Sequence, residues 1–321
     1  MSLKKVFDAL KQNSSFLVTT HVNMEGDALG SQLALRRLLR TLGKRVSIVN
    51  DDAVPAEYAF LPDIGTIVRF GEKSKGMRFD CFVALDCSDI SRCGAVARLR
   101  SKNKTTINID HHVSNDRFGD INWVEPDVSS ACEMVYRLFK YARIPFDKPT
   151  AELLYAGMLT DTGSFHYANT KDTTHKAVAE LMRYDLNVQQ MYKAAYENIP
   201  YQDMVLLGKI LSSMEGAAGG RIVWLKINST VLQKKMSFDL SEHLLSFMRA
   251  IKGVEVAVLF KENFGVRNEI RVNFRSQGAM DVNAIAAFFG GGGHRTASGT
   301  TCKGSLQSVA RSVIKKIKEN L

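Results

Sequence analysis

The chain has 321 residues, of which 45% are hydrophobic and 24% are charged, values that are ordinary for a soluble globular protein. Its length predicts two domains, each large enough to bury its own core. No apolar run reaches the roughly 18 residues that a membrane-spanning helix needs, and the N-terminus has no secretory apolar segment, so we expect no contact with a membrane.

The formal net charge is +10 and the isoelectric point is near 9.3. A basic surface favours anionic partners such as nucleotides and short nucleic acids, although lysines and arginines that only solvate helix faces would give the same total. The sequence has no internal repeat and no basic low-complexity tail, which argues against a long polymer as partner. The five scattered cysteines form no CxxC pair, which predicts a reducing cytoplasm rather than a disulfide framework or a zinc site.

The first half of the chain has the pattern of an open α/β sheet. Apolar strands are predicted over residues 15–20, 46–49, 79–85 and 105–109, and helices over 2–12, 29–42, 129–142 and 153–160. Alternation of strands with loops and helices is typical of a parallel sheet. Such sheets bind ligands at the carboxyl ends of their strands.

Three of these strands end in acidic or imidazole side chains. The first is followed by His21, Glu25 and Asp27, the third by Asp86, and the fourth by Asp110-His111-His112. Adjacent histidines on an extended backbone point in opposite directions, so one can face a metal while the other faces a substrate. Alternatively, Asp27 could have no role as a metal ligand and serve only as the N-cap of the helix that follows it.

One further acid, Asp161, follows the apolar run 153–160 and precedes Thr162-Gly163. It is either part of a helix-end turn or an additional ligand, and the local sequence alone favours the turn.

Residues 172–214 are predicted to form successive helices, and a smaller α/β unit follows. Its strands are expected over 221–228, 254–261 and 269–274, and its helices over 240–249, 282–289 and 306–318. Four glycines at 290–293 precede His294, and such a run either exposes amide groups to a phosphate or forms a flexible loop. Arg275, beside Ser276 at the end of a strand, could bind a phosphate with two hydrogen bonds.

Taken in order, these segments resemble the DHH phosphoesterase family, in the subgroup with a C-terminal DHH-associated domain. Five motifs carry the resemblance, at residues 21–31, 86–89, 110–115, 160–165 and 290–299. They extend over nearly the whole chain. In its size and its lack of extra domains the chain is similar to the nanoRNase type, an oligoribonuclease that also dephosphorylates 3′-phosphoadenosine 5′-phosphate.

The resemblance implies two Mn²⁺ ions, one bound by His21, Glu25 and Asp86 and the other by Asp27, Asp86, His111 and Asp161. Carboxylates and imidazoles without a thiolate suit Mn²⁺ better than a structural zinc. By the same resemblance, His112 would contact the scissile phosphate, and Asp110 would orient a neighbouring ligand. The implied substrate contacts are Asn115, Arg275, Ser276, Gly291, Gly292, Gly293 and His294.

The family usually has aspartate where this chain has Glu25. Glutamate keeps the charge and adds one methylene, so the loop or the metal must shift. This departure concerns metal preference and turnover more than the class of reaction.

The resemblance also implies a domain layout. We expect a DHH catalytic domain over residues 1–185, a helical connector over 186–208 and a substrate-binding DHH-associated domain over 209–321, with a cleft between the domains. Such a cleft would admit only a few nucleotides and release mononucleotides one by one. Family likeness further suggests a homodimer in the cytoplasm.

Four alternatives remain beside this prediction. A phosphodiesterase of cyclic di-AMP or of linear pApA could use the same site. A single-strand DNA exonuclease is less favoured because the chain lacks its extra binding domain, and a family II pyrophosphatase because its second domain lacks the glycine-histidine motif. A catalytically inactive nucleotide-binding sensor is supported only by Glu25.

Overall fold

The computed structural model describes residues 2–101, 103–228, 240–263, 266, 268–277 and 280–321. The chain divides into two compact units, Met1–Asn198 and Ile199–Leu321. Each unit has its own sheet and its own buried apolar cluster. The predicted domain limits at residues 185 and 209 stay predictions.

The first unit is built on a six-stranded parallel sheet, which confirms the predicted architecture. Its strands are β1 (Ser15–Thr19), β2 (Arg45–Asn50), β3 (Ile67–Arg69), β4 (Cys81–Leu85), β5 (Thr105–Asp110) and β6 (Ile121–Val124). They lie in the order β3-β2-β1-β4-β5-β6, and every neighbouring pair is parallel. Strands β1 and β4 are buried at every residue, as expected for strands covered on both faces.

The edge strands β3 and β6 were not predicted from the sequence. Both are short, and their residues are mostly only partly buried. A partly buried edge strand does not need a continuous apolar run. Both strands lack such a run, which is the pattern by which a buried parallel strand is recognised.

Helices and 3₁₀ turns surround this sheet. The helices are α1 (Ser2–Gln12), α2 (Gly26–Thr41), α3 (Glu72–Lys75), α4 (Ala131–Ala142), α5 (Lys148–Asp161), α6 (Asp172–Leu181) and α7 (Val188–Tyr196), and the 3₁₀ segments include Ala56–Tyr58 and Ile90–Leu99. The local sequence sets several helix starts: the side chain of Ser130 accepts a hydrogen bond from Glu133 N at the start of α4, and that of Asp147 accepts one from Thr150 N at the start of α5.

Helices α2 and α5 pack closely against each other. An added Cβ on Gly30 of α2 would lie 2.6 Å from the carbonyl oxygen of Leu153 in α5. Only glycine allows this approach without moving one of the two backbones. Asp27 lies at the start of α2 and Asp161 at the end of α5, so this contact helps to fix the positions of both acids.

The second unit contains a mixed six-stranded sheet. Its strands are β7 (Glu215–Ala217), β8 (Ile222–Ile227), β9 (Val256–Glu262), β10 (Glu269–Ser276), β11 (Gly292–Gly293) and β12 (Ala297–Lys303). Their order is β11-β12-β10-β9-β8-β7, with β8 and β9 parallel and the other pairs antiparallel. The accompanying helices are α8 (Tyr201–Leu211), α9 (Ser241–Arg249), α10 (Val282–Phe288) and α11 (Leu306–Lys318).

Both faces of this second sheet are covered. Along β9, Val258 and Phe260 belong to one apolar cluster, while Ala257 and Leu259 belong to another. Alternate side chains of a strand point to opposite faces, so β9 contributes to two cores.

The glycine segment is not the open loop that one interpretation of the sequence allowed. Gly292 pairs with Gly299 and Gly293 pairs with Ser298, which makes the segment a short antiparallel hairpin. Strand β12 was missed because its Gly, Thr and Ser residues give no apolar pattern.

The longest helix among the described residues, α2, has 16 residues. None of the helices described here has both the length and the apolar character that crossing a bilayer requires.

Candidate metal centre and active site

The carboxyl ends of β1, β4 and β5 bring the predicted acids and histidines together, because these three strands are neighbours in the sheet. Asp86, directly after β4, lies between two imidazoles. Its Oδ2 is 3.3 Å from Nε2 of His21, and its Oδ1 is 3.3 Å from Nε2 of His111. All three side chains are buried.

The backbone of Asp86 adopts a left-handed conformation, with φ at 54°. Residues other than glycine rarely adopt it, and such positions are found preferentially at functional sites. Burial alone would raise the pKa of this carboxyl group. Hydrogen bonds with His111 and His21 outweigh burial and hold the pKa well below its usual range, so Asp86 is ionised.

Asp27 and Asp161 join the cluster from the helices. Their Oδ2 atoms are 3.9 and 3.7 Å, respectively, from Nε2 of His111. The Asp27 carboxylate also accepts hydrogen bonds from Ala131 N at 2.7 Å and Cys132 N at 2.8 Å, at the start of α4. It therefore caps a different helix from the one that the sequence suggested, and it still faces the cluster.

The cluster carries more negative charge than its imidazoles balance. Burial, followed by the charges of Asp86 and Asp161, raises the pKa of Asp27 to about 7. Burial and the charge of Asp86 likewise raise the pKa of Asp161 to about 7, against the opposing charge of His111. A bound divalent cation would offset this repulsion.

The donor atoms fit such a cation. The ligand atoms of Asp27, Asp86 and His111 all lie within 4.8 Å of one another. His21 Nδ1 is 2.7 Å from the carbonyl oxygen of Val22, which can only accept, so Nδ1 carries a proton and Nε2 is the ring nitrogen that faces Asp86 and would bind a cation there. Oxygen and imidazole donors without thiolate suit Mn²⁺ or Mg²⁺.

Next to this cluster, a hydrogen-bonded chain orients His112. Its Nδ1 is 2.7 Å from Oδ1 of the buried Asp110, and Oδ2 of Asp110 accepts a hydrogen bond from Asn115 Nδ2 at 2.5 Å. Asn115 Nδ2 also lies 2.8 Å from Oδ1 of Asn108. Burial would raise the pKa of Asp110, but the charge of His112 and their hydrogen bond lower it.

These contacts bear on two residues. Asn115, predicted as a substrate contact, has its amide turned towards Asp110 and Asn108, and its role towards substrate stays a prediction. Asn108 was not predicted, although a buried polar residue inside the apolar run Ile107-Asn108-Ile109 is a signal that could have found it.

Asn169 is a second residue that the sequence did not reveal. Its Nδ2 lies 3.2 Å from Oδ2 of Asp161, 3.0 Å from the carbonyl oxygen of Asp161 and 2.9 Å from that of Ser129. It therefore positions the acid at the end of α5. It belongs to no strand and follows no recognisable pattern.

Glu25 stands at the N-cap position of α2 with an exposed side chain. Its charge contributes to the raised pKa of Asp161 and, after burial, to that of Tyr58. Glu25 is thus near the cluster, but it is outside the tight group of Asp27, Asp86 and His111.

The predicted residues of the second unit lie on adjoining ends of β10, β11 and β12. Arg275 is opposite Ala297 in the sheet, and its Nη2 is 2.5 Å from Oε1 of Glu242. The Ser276 hydroxyl donates to the carbonyl oxygen of Met280 at 2.8 Å.

Backbone amides of the glycine-histidine segment donate hydrogen bonds within the second unit. Gly291 N donates to Ala286 O at 2.8 Å, at the end of α10, and His294 N donates to Ala297 O at 2.7 Å. A Cβ on Gly291 would collide with the backbone of Gly299 and Thr300, which explains a glycine there. The roles of Gly291, Gly292, Gly293 and His294 towards substrate stay predictions.

The first unit is thus a parallel α/β sheet whose strand ends assemble carboxylates and imidazoles into a group that could bind metal ions. Comparisons with known proteins identify the domain family that each part of the chain matches. The DHH family, N-terminal domain, matches residues 15–158, and the DHHA1 domain matches residues 219–321.

Two relatives are bifunctional oligoribonuclease and PAP phosphatase NrnA proteins. The one from Thermus thermophilus is 31% identical over 305 residues, covering 95% of this chain and 89% of the relative. The one from Bacillus subtilis is 27% identical over 293 residues, covering 89% of each protein. A solved structure, an exopolyphosphatase-related protein from Bacteroides fragilis, superposes with a TM-score of 0.86 at 25% identity, covering 99% of this chain and 96% of that one.

The chain belongs to the DHH family, and its second unit contains the DHHA1 domain. This confirms the family predicted from the five motifs. The named oligoribonuclease and PAP phosphatase relatives are hydrolases, the class of enzyme predicted for this chain.

Proposed function

We propose that this chain is a metal-dependent hydrolase that cuts short oligoribonucleotides to mononucleotides and converts 3′-phosphoadenosine 5′-phosphate to AMP. The observation that carries the proposal is the buried convergence of Asp27, Asp86 and His111 at the strand ends. The names of the relatives that are 31% and 27% identical support the two substrates.

We propose that the site holds two divalent ions, and that both are Mn²⁺. His21, Glu25 and Asp86 would bind one ion, and Asp27, Asp86, His111 and Asp161 the other. Divalent ions bound in such a pair lower the pKa of water and offset the negative charge that develops on a phosphoryl group. Asp86 would serve both sets, and the support for this role is that an imidazole lies beside each of its carboxylate oxygens.

His112 would act on the substrate itself. Its Nδ1 is bound to Asp110, so Nε2 is the ring atom that would contact the scissile phosphate or protonate the leaving oxygen. The buried Asp110 carboxylate would stabilise the protonated ring and keep it oriented.

The second unit would bind the part of the substrate that is not cleaved. The candidates are Arg275, Ser276 and His294 with the amides of the glycine hairpin, and their support is that they lie on adjoining strand ends. Asn115 would contact the substrate from the first unit. If these groups bind one end of the substrate, the shortest oligonucleotides are the preferred ones.

Two further properties are proposed. A homodimer is suggested by family likeness, and exposed Tyr201, Met204 and Val205 on α8 offer an apolar surface for it. Equilibrium sedimentation would test it, and a monomer would contradict it. A cytoplasmic location is consistent with five free cysteines and with RNA as substrate.

The experiment is to incubate the purified protein and Mn²⁺ with a 5′-labelled RNA ladder that starts at the dimer, and separately with 3′-phosphoadenosine 5′-phosphate. The inactive variant is His111→Ala, which removes an imidazole from the buried cluster. Its matched control is His175→Ala, the same change on the exposed face of α6.

Cleavage of the shortest RNAs and release of phosphate, both lost in His111→Ala and both kept in His175→Ala, would support the proposal. Faster hydrolysis of pApA or cyclic di-AMP than of either substrate would favour the dinucleotide phosphodiesterase instead. Nucleotide binding without hydrolysis, with activity appearing in Glu25→Asp, would mean that Glu25 makes this chain a sensor.

A further inference from the structure

Two consecutive aspartates follow strand β2, at the edge of the sheet that carries the proposed metal ligands. Asn50 ends β2 and is buried, and its Nδ2 donates to Oε1 of Gln32 in α2 at 3.1 Å, which fixes the end of the strand. Strand β1 is the parallel neighbour of β2. Asp51 and Asp52 therefore leave the sheet at the same edge at which His21 follows β1.

The Asp52 carboxylate binds the loop between β1 and α2. Its Oδ2 accepts a hydrogen bond from Asn23 N at 2.6 Å. Asn23 lies midway between His21 and Glu25, two proposed ligands of one ion, and its backbone is left-handed, with φ at 58°. Few residues adopt this conformation without support, and a charged acceptor gives the backbone N–H a strong hydrogen bond. The carboxylate therefore fixes the turn that separates the two ligands.

Asp51 supports the same loop indirectly, through the 3₁₀ segment Ile90–Leu99. Its Oδ2 accepts a hydrogen bond from Ala95 N at 3.1 Å. In the same segment, the carbonyl oxygen of Arg92 accepts a hydrogen bond from Val22 N at 2.7 Å. The end of β2 thus holds the loop twice, once directly and once through this segment.

The ligands of the other proposed ion are held by different contacts. The Asp27 carboxylate accepts its hydrogen bonds from backbone amides at the start of α4, and Asp161 accepts one from Asn169. A change at Asp52 is therefore expected to affect one ion more than the other.

We propose that Asp52 is a positioning residue that sets the geometry of His21 and Glu25 for the ion that they bind. In this role it acts through the backbone of Asn23 and binds neither the ion nor the substrate. The proposal rests on the proposed two-ion site and adds one residue to it. Removing a group that orients metal ligands typically lowers metal affinity or activity about 10- to 100-fold.

The test compares Asp52→Ala with Asp52→Asn, which keeps an oxygen acceptor for Asn23 N, and with the control Asp172→Ala. Asp172 is an exposed aspartate in the first turn of α6, and its partner Lys176 lies on the same helix. The measurements are Mn²⁺ binding by calorimetry, kcat and KM over a range of Mn²⁺ concentrations, and the melting temperature of the metal-free protein. Asp52→Ala is also combined with His21→Ala.

We expect Asp52→Ala to weaken one Mn²⁺-binding step about 10-fold and to leave KM unchanged. Saturating Mn²⁺ should restore most of kcat, because both ligands are still present. Asp52→Asn should keep most of the affinity, since a neutral oxygen accepts the same hydrogen bond with about half the strength. Asp172→Ala should match the wild type. In a His21→Ala background, Asp52→Ala should have no further effect on Mn²⁺ binding, because the two residues act on the same ion.

Three results would overturn the proposal. Equal Mn²⁺ binding in Asp52→Ala and Asp172→Ala would leave Asp52 with no role at the metal centre, and a lower melting temperature alone would assign it to the fold. Equal losses in Asp52→Ala and Asp52→Asn would show that the charge matters and the hydrogen bond does not. A KM that stays raised at saturating Mn²⁺ would make Asp52 a substrate contact.

These outcomes are separable from that of the proposed function. If the wild type binds Mn²⁺ and hydrolyses neither substrate, the proposed function fails, while the calorimetry still decides the role of Asp52. If the wild type is active and Asp52→Ala binds Mn²⁺ as tightly, only the positioning role is rejected.

Discussion

Gly30 lies where α2 passes the backbone of α5, and replacing it with alanine should separate the two helices. The new Cβ would stand 2.6 Å from the Leu153 carbonyl oxygen and 3.0 Å from Cys132 Sγ. An ordinary carbon–oxygen contact is roughly 3.3 Å, so the helices must move apart by about 0.7 Å.

The energetic effect has two opposing parts. Overpacking of a buried contact costs about 1–3 kcal/mol, whereas replacing glycine with alanine inside a helix contributes about 1 kcal/mol of stability. The matched control is Gly208→Ala in α8, where an added Cβ meets nothing within 4 Å. Gly208→Ala should therefore raise the free energy of unfolding, and Gly30→Ala should fall below that control by about 1–3 kcal/mol.

The same displacement should weaken the site. Asp27 on α2 and Asp161 on α5 both face His111, and a shift of this size in catalytic geometry can lower the rate by up to about 10²-fold. Thermal unfolding by calorimetry measures the change in stability. The rate of hydrolysis and Mn²⁺ binding by titration measure the effect on the site. If Gly30→Ala gained as much stability as Gly208→Ala and bound Mn²⁺ like the wild type, the close packing of α2 on α5 would be refuted.

Three further predictions concern the site and the helix beside it. Asp110→Asn should lower kcat by roughly 10²- to 10⁴-fold with Mn²⁺ affinity retained, because it disturbs the orientation and charge of His112 rather than the metal ligands; equal kcat in the variant would remove Asp110 from the mechanism. Chelation with EDTA should abolish hydrolysis and lower the melting temperature, and Mn²⁺ should restore both, because a cation that binds only the folded acids stabilises the folded state; activity that survives chelation would contradict the metal centre. Glu133→Gln should destabilise the protein by about 1.5–3 kcal/mol at neutral pH, because the buried carboxylate accepts hydrogen bonds from Ser129, Thr174 and Arg137.

The effect of Glu133→Gln should depend on pH in a defined direction. Burial raises the pKa of Glu133, but these hydrogen bonds outweigh it and hold the folded-state pKa below its usual value. The stabilisation is therefore complete above the unfolded pKa of about 4.3 and is lost as the pH falls through the folded value. Urea titrations at neutral and acidic pH measure the difference between variant and wild type, and a difference that grew on acidification would contradict this assignment.

The sequence by itself determined the four inner strands of the parallel sheet, β1, β2, β4 and β5, and where they end. Runs such as residues 15–20 and 105–109 are largely apolar because both faces of a central parallel strand are covered. The charged or imidazole residue that follows each run marks the carboxyl end of the strand. Since parallel strands end at one edge, His21, Asp86 and His111 could be placed together from the sequence alone. The five motifs then indicated the family, which the comparisons confirmed.

The tertiary structure decided what depends on contacts between distant segments. Asp161 is close to His111 because α5 packs on α2, a contact through glycine that leaves no periodic signal. Asp27 caps α4, more than a hundred residues away along the chain, and Asn169 fixes Asp161 from a segment without regular structure. Pairing of the glycine segment with β12 was hidden as well, because backbone hydrogen bonds between strands depend on their register and are not encoded in side-chain polarity.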